Sequence, residues 1–224
     1  MSARHLVIGA GEVGTALHQV LRASGPTAIR DVEPVEAQAD ALHIAFPWSA
    51  AFVEHVHDYR VQHGADLVIV HSTVPVGTCD EHGWVHSPVR GRHPRLAPAL
   101  RVFVKHFGGA RAAQAAKLWP GRTRVHARAR DTEAGKLWEL VQYGVAIQVE
   151  KAIHAWCAEH DVNFDIAYRE FAETYNAGYK WLDEPQFIRP ILEHVPGPIG
   201  GHCVVQNAPM IDHPLSRIVT DGLG

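Results

Sequence analysis

Long apolar runs are missing from this sequence. None approaches the ~20 residues that a membrane helix needs, so a membrane-spanning protein is not expected. Cysteine is scarce as well. The 224 residues hold three, widely spaced and odd in number, which argues against a disulfide framework and for a reducing compartment, the cytoplasm by default. Basic charge is not in excess. The formal net charge is -3, so no nucleic-acid partner is expected. The opening MSARHLVIGAGEVG reaches a strand within a few residues, too soon for a secretory leader. No internal repeat or low-complexity segment breaks the chain. What is present is 46% hydrophobic and 20% charged, the make-up of a soluble globular protein with chain enough for a core.

Histidine is abundant, with 17 copies. The pair His55/His57 and the set Cys79, His82 and His86 invite a metal, but neither has the spacing of a known zinc site. No metal is expected, and the histidines read as surface groups whose charge climbs steeply below about pH 6.5.

The first half alternates short β-type runs with helical patterns, the signature of a mostly parallel sheet covered by helices. HLVIG (5–9) reads as a buried strand, TAIRD (27–31) as a second, ALHIAF (41–46) as a third and DLVIVHS (66–72) as a fourth. Helical spacing joins the first pair from Glu12 to Ala23 and the last pair from about Ser49 to His63. WVHSP (84–88), RVFVKHFGG (101–109) and RTRVHA (122–127) continue the strands, while VRGRHPRLAP (89–98) has the composition of a loop.

After Arg130 the character changes. Leu137, Leu140, Val141, Val145, Val149, Ile153 and Trp156 fall at helical spacing between Asp131 and about Asp161. RDTEAGK supplies the expected cap and acidic first turn. Such a helix is ~45 Å long, more than one small domain needs, and is expected to pack on other helices or on a second copy of the chain. Further helices are expected at about Phe164–Tyr175 and Glu184–His194. PGPIGGHC (196–203) reads as a loop that presents Cys203. The expected fold class is α/β. A Rossmann-like domain (1–130) is followed by an all-helical region (131–224) with a dimer-forming helix and the cysteine loop.

IGAGEVG places Gly9, Gly11 and Gly14 between a strand and a helix in the G-x-G-x-x-G arrangement. Gly9 allows the tight turn, Gly11 lets the backbone approach a pyrophosphate, and Gly14 lets helix and strand pack closely. The phosphates would meet the helix N-terminus. Asp31 closes the second strand about twenty residues on, where a carboxylate binds ribose hydroxyls and repels a 2′-phosphate. NAD is therefore the expected cofactor, with Arg30 next door the one contrary sign. The expected cofactor-binding residues are Gly9, Gly11, Glu12, Val13, Gly14, Asp31, Pro47, Ser72 and Thr73.

HSTVPVGT (71–78), SPVR (87–90), TEAGKLWEL (132–140) and PGPIGGHC (196–203) follow in that order. Together they resemble the UDP-glucose/GDP-mannose dehydrogenase family, and GGHC looks closest to its N-acetylmannosamine dehydrogenase branch. The resemblance implies oxidation of a sugar alcohol in two NAD-linked steps. In those steps a cysteine, here Cys203, captures the aldehyde so that a hydride can leave. It implies that Lys136 stabilises the oxyanion and that Thr73 orders water and cofactor. Substrate would meet Arg90, Arg92, Gly201 and His202. The arginines of SPVRGRHPRL, with His93, suit a carboxylate or phosphate.

The sequence departs from the family at catalytic positions. The glutamate that assists thioester hydrolysis falls on Val89, and the asparagine after the lysine falls on Leu140. Asn207 stands where the family has an aspartate. The resemblance also implies a short form without the third domain that completes the nucleotide-sugar site. Losing a general base costs about 10²–10⁴-fold. Three readings stand. One is an NAD-dependent oxidoreductase of smaller scope, acting on a small hydroxy or aldehyde compound. Another is a nucleotide-binding protein without hydride transfer, and the third is a site turned to redox-neutral chemistry.

Overall fold

A computed structural model describes residues 3–200 and 202–223, and of His202 only the backbone. The chain divides into two compact units, Met1–Leu137 and Trp138–Gly224.

The first unit is a seven-stranded sheet. Its strands are β1 (His5–Ile8), β2 (Thr27–Arg30), β3 (Ala41–Ile44), β4 (Leu67–Val70), β5 (Val85–His86), β6 (Lys105–Gly108) and β7 (Thr123–His126). The spatial order is β2-β1-β3-β4-β5-β6-β7. All neighbours pair parallel except β5 and β6, which meet antiparallel at His86 and Gly108. Strand order reverses between β1 and β3, and a crevice opens at such a switch point beyond the carboxyl ends of the strands.

Alternate side chains of each strand enter two apolar layers. Val7, Ile69, Val85 and Phe107 pack beneath α1 (Glu12–Leu21), α4 (Leu96–Val102) and α5 (Ala112–Ala116). Leu6, Leu42, Val68 and Val70 pack beneath Phe52 and Val56 of α2 (Phe52–Gln62) and Cys79 of the short α3 (Thr78–Glu81). Each fully buried Leu, Ile or Phe contributes roughly 1.5–3 kcal/mol.

Helix α6 runs from Ala129 to Glu159, 31 residues or about 46 Å. Its start is capped from outside RDTEAGK: the Asp80 carboxylate accepts hydrogen bonds from the backbone N–H groups of Ala129 (2.7 Å) and Arg130 (3.1 Å). In the second unit Leu140 and Val141 of α6 pack with Val204 of α8 (His202–Asn207), Ala208 and Val219 of α9 (Pro214–Asp221). Gly144 permits this closeness, because a Cβ there would lie 2.8 Å from methyls of Val204 and Val219. The helix expected from Phe164 opens with a π-helical stretch, Asp165–Glu170, and continues as α7 (Phe171–Trp181).

Several expectations are corrected. RVFVKHFGG is not one strand: α4 ends at Val102, Phe103 turns the chain extended, and β6 begins at Lys105. The loop of 89–98 ends at Arg95, since Leu96 and Leu100 bury one face of α4. No helix forms over Glu184–His194 beyond a turn at Pro185–Phe187. Pro190 blocks it, and side chains bond the irregular backbone instead. Asn176 donates to Arg189 O and accepts from Arg189 N, and Tyr168 Oη accepts from Leu192 N. Cys203 is carried by α8 rather than by a loop. Val204 and Ala208, one turn apart, anchor that helix. Several histidines are also not surface groups: His5, His43, His63, His71 and His86 are buried.

Candidate functional site

At the crevice, β1 ends in Gly9 with φ +100°, a conformation that favours glycine. A Cβ at Gly9 would press on the Ala45 carbonyl at 3.0 Å, and one at Gly14 would collide with Gly9 O at 1.7 Å. Gly11, the N-cap of α1, has nothing within 4 Å of its Cβ position. Two glycines therefore serve the turn, and the third leaves open space over the first N–H groups of α1. Glu12 and Val13 form the first turn of that helix.

Asp31 follows β2 and reaches the same place, its Oδ1 accepting a hydrogen bond from Ala10 N at 3.1 Å. Arg30 turns elsewhere. Its guanidinium donates to Gln62 Oε1 (2.8 Å), lies 2.9 Å from His63 Nε2 and covers the Tyr59 ring at 4.8 Å. The contrary sign read from Arg30 is thus absorbed by α2 and its C-cap. Ile8, Gly9, Asp31, Val32, Phe46, His55 and Tyr59 line one cleft. Phe46 and Tyr59, ring centroids 6.1 Å apart, are flat apolar walls that sequence reasoning missed. Their only signal was an aromatic just after the third strand and another at helical spacing behind it.

Ser72 closes the top of β4, donating to Phe46 O at 2.6 Å. Exposed Pro47 and half-buried Thr73 follow the ends of β3 and β4. The loop carrying Arg90 and Arg92 is exposed, and a contact of His93 Nδ1 with Glu12 Oε2 (2.5 Å) draws it to the start of α1. The arginine loop and the glycine turn are therefore neighbours.

STVPVGT and TEAGK are joined by a residue that was not singled out. Glu133, fully buried, accepts from Gly77 N (2.6 Å) and Cys79 N (2.8 Å). Burial pushes its carboxyl above the usual range, against the pull of those two donors. Thr132 donates to Ala129 O and lies 2.8 Å from His86 Nδ1. His86 is held neutral, pushed down to about 3 chiefly by burial, against the pull of Ser72 O and with the charge of Lys136, and of Lys105 when protonated, adding to the shift. These bonds fix half-buried Lys136, one turn further along α6, to the carboxyl edge of the sheet.

Cys203 lies in the second unit, exposed, on the first turn of α8. Gly201 and the side chain of His202 lie outside the described residues. Val89 and Leu140 are both buried in apolar clusters. Among the described residues no group of three or more His, Cys, Asp or Glu is arranged to hold a metal ion. No helix there is long and apolar enough to cross a membrane.

The sheet and its crevice define a Rossmann-like α/β fold. No protein-family model matches the chain, and neither does any curated protein. Solved structures do. The UDP-D-ManNAc dehydrogenase from Pyrococcus horikoshii superposes with a TM-score of 0.75 at 20% identity, over 96% of this chain and 67% of that one. The UDP-N-acetyl-mannosamine dehydrogenase from Staphylococcus aureus gives 0.69 at 18% identity, over 96% and 66%. The 3-hydroxyisobutyrate dehydrogenase from Mycobacterium tuberculosis gives 0.64 at 15%, over 99% and 92%. The chain thus spans about two thirds of the two sugar-nucleotide enzymes and nearly all of the hydroxyacid enzyme. At these identities the likeness is one of fold.

Proposed function

We propose that the protein binds NAD at the glycine turn and works as an NAD-dependent oxidoreductase on a small hydroxy or aldehyde compound. The observation that carries this reading is the pairing of an open Gly11 with Asp31, whose carboxylate is held at the turn while Arg30 is engaged by α2. Adenine would lie between Val32 and the Phe46/Tyr59 walls, the ribose on Asp31, and the pyrophosphate over the first N–H groups of α1. Glu12, Val13, Pro47, Ser72 and Thr73 would flank the cofactor. Arg90 and Arg92 would hold an acidic group of the substrate. Lys136 would stabilise charge on the reacting oxygen, and Cys203 would serve as the thiol nucleophile. The likeness to both sugar-nucleotide and hydroxyacid dehydrogenases supports this class of chemistry.

Calorimetry with NAD and NADP, followed by NADH absorbance over a panel of hydroxy acids and sugar alcohols, tests the proposal. NAD binding at least about tenfold tighter than NADP is expected, together with turnover abolished by Lys136→Ala. Indifference to both dinucleotides overturns it. A second reading, dinucleotide binding without hydride transfer, is favoured by the packing of Val89 and Leu140 as core residues rather than site groups. Tight NAD binding with no turnover would select it.

We also propose a homodimer in the cytoplasm. In the second unit Trp181 is 88% and Phe171 70% exposed, with Trp156 and Tyr143 also open. Such apolar area favours association, and cysteines not joined in disulfides suit a reducing compartment. Sedimentation at the monomer mass would remove the dimer.

A further inference from the structure

Parallel strands covered on both faces are normally built from Val, Ile and Leu. Here one buried layer carries a polar line across four strands. His5 (β1), His43 (β3), His71 (just past β4) and Lys105 (β6) all lie on the face covered by α1 and α4, each at most 4% exposed. His5 Nδ1 is 3.0 Å from His43 Nε2, and His43 Nδ1 is 3.0 Å from His71 Nε2. His71 Nδ1 is 2.7 Å from Ser87 O and 3.2 Å from Lys105 Nζ. The amine also donates to Ser87 O (2.7 Å) and Pro88 O (2.8 Å).

A neutral imidazole has one donor and one acceptor nitrogen, so a row of them can be satisfied in only two senses. In the first, every ring carries its proton on Nδ1. His5 donates to His43, His43 to His71, and His71 to Ser87 O and the lone pair of a neutral Lys105 amine. In the second, every ring carries its proton on Nε2. Then His71 Nδ1 accepts from a charged Lys105, whose three protons go to Ser87 O, Pro88 O and His71, and the 2.7 Å contact of Nδ1 with Ser87 O, now between two acceptors, must lengthen. The charge of Lys105 and the sense of the three rings are thus locked together.

One atom is left over in either sense. His5 Nε2 is buried and has no hydrogen-bond partner. It sits at the amino edge of the sheet in the field of the exposed Asp40 carboxylate, which Arg4 holds. A buried polar atom without a partner costs about 1–3 kcal/mol, and a role in the fold's chemistry explains why it is kept.

The geometry points to a proton path. A proton enters at His5 Nε2, each ring passes its Nδ1 proton to the next, and the last one settles on Lys105, a buried proton store beneath the Ser87–Pro88 segment. One N–H bond forms at His5 Nε2 and one at Lys105 Nζ. Each ring loses its Nδ1 proton and holds one on Nε2, so no ring is left charged. The return runs the same way backwards. This inference does not depend on the proposed dehydrogenase chemistry.

The surroundings suit the role. Burial drives His43, His71 and Lys105 well below their ordinary values, and the Lys136 ammonium on α6 adds to the shift of Lys105. His86, neutral, is a further nearby group. The Trp119 ring, 5.5 Å from Nζ, is the wall that accommodates the cation when it forms.

Nitrogen-15 NMR of the full chain, labelled at histidine and lysine, tests this. As pH falls, Lys105 is expected to charge below the ordinary lysine range, and His5, His43 and His71 to switch together from the Nδ1–H to the Nε2–H form. A Lys105 signal that never titrates between about pH 5 and 10, or rings that keep their tautomers while it does, overturns the inference. His43→Gln keeps a donor and an acceptor but cannot relay. Exchange of the Lys105 amine protons with solvent should slow by about tenfold or more while backbone amide protection in β3 and β4 is unchanged. An unchanged exchange rate counts against the path. Should His43→Gln not fold, His5→Gln interrupts the same path at its outer end and is read identically.

Discussion

Glycines within one motif have separable duties. Gly14→Ala should destabilise the fold by about 3 kcal/mol or more, because its Cβ would meet Gly9 O at 1.7 Å. Gly11→Ala should leave thermal stability unchanged and weaken NAD binding by about tenfold or more, since its methyl occupies only the proposed pyrophosphate space. Paired melting curves and calorimetry check both. The three cysteines divide as sharply. Cys203 is exposed, while Cys157 is buried and Cys79 is buried with its thiol pushed well up. Native labelling with a maleimide should modify one thiol of the three, read by mass spectrometry. The glycines and Asp31 were legible because backbone turns and a strand-end acid leave a local signature. The aromatic walls of the cleft and the buried histidines were not, since burial depends on which strands become neighbours.

Elements were legible where periodicity was undisturbed. The core strands β1 to β4, the helices α1 and α2 and the long α6 follow apolar spacing, and the structure displaces their ends by only a few residues. Failures fell where side chains from elsewhere replaced local rules. Asn176 and Tyr168 hold 189–192 out of a helix, and Asp80 rather than RDTEAGK caps α6. The same logic makes Glu133 a joint between α6 and the 77–79 turn. Glu133→Gln keeps the shape, loses the double acceptor and should cost about 1–3 kcal/mol of stability, read from the urea midpoint at constant m-value.

For the whole molecule, the buried bases set the response to pH. His43, His71 and His86 are neutral when folded and titrate near 6.5 when unfolded. The unfolded chain therefore binds more protons, and stability falls as pH drops below about 6.5, by about 1.4 kcal/mol per pH unit for each. By about pH 5.5 the three together remove about 4 kcal/mol. Lys105, lowered from its ordinary value, extends the same slope into the alkaline range. Glu133, raised, opposes it only in the acid range. Melting temperature should accordingly rise steadily from about pH 5.5 to 9, and a maximum near pH 6 would contradict this assignment of buried charge.

The antiparallel junction of the sheet has its own consequence. β5 and β6 share a single residue pair, whereas β6 and β7 share four. That seam is riveted from beneath by the Lys105 amine on the carbonyls of Ser87 and Pro88. Replacing Lys105 with Met should let the outer two strands peel away as a block, their amides exchanging ahead of the inner five.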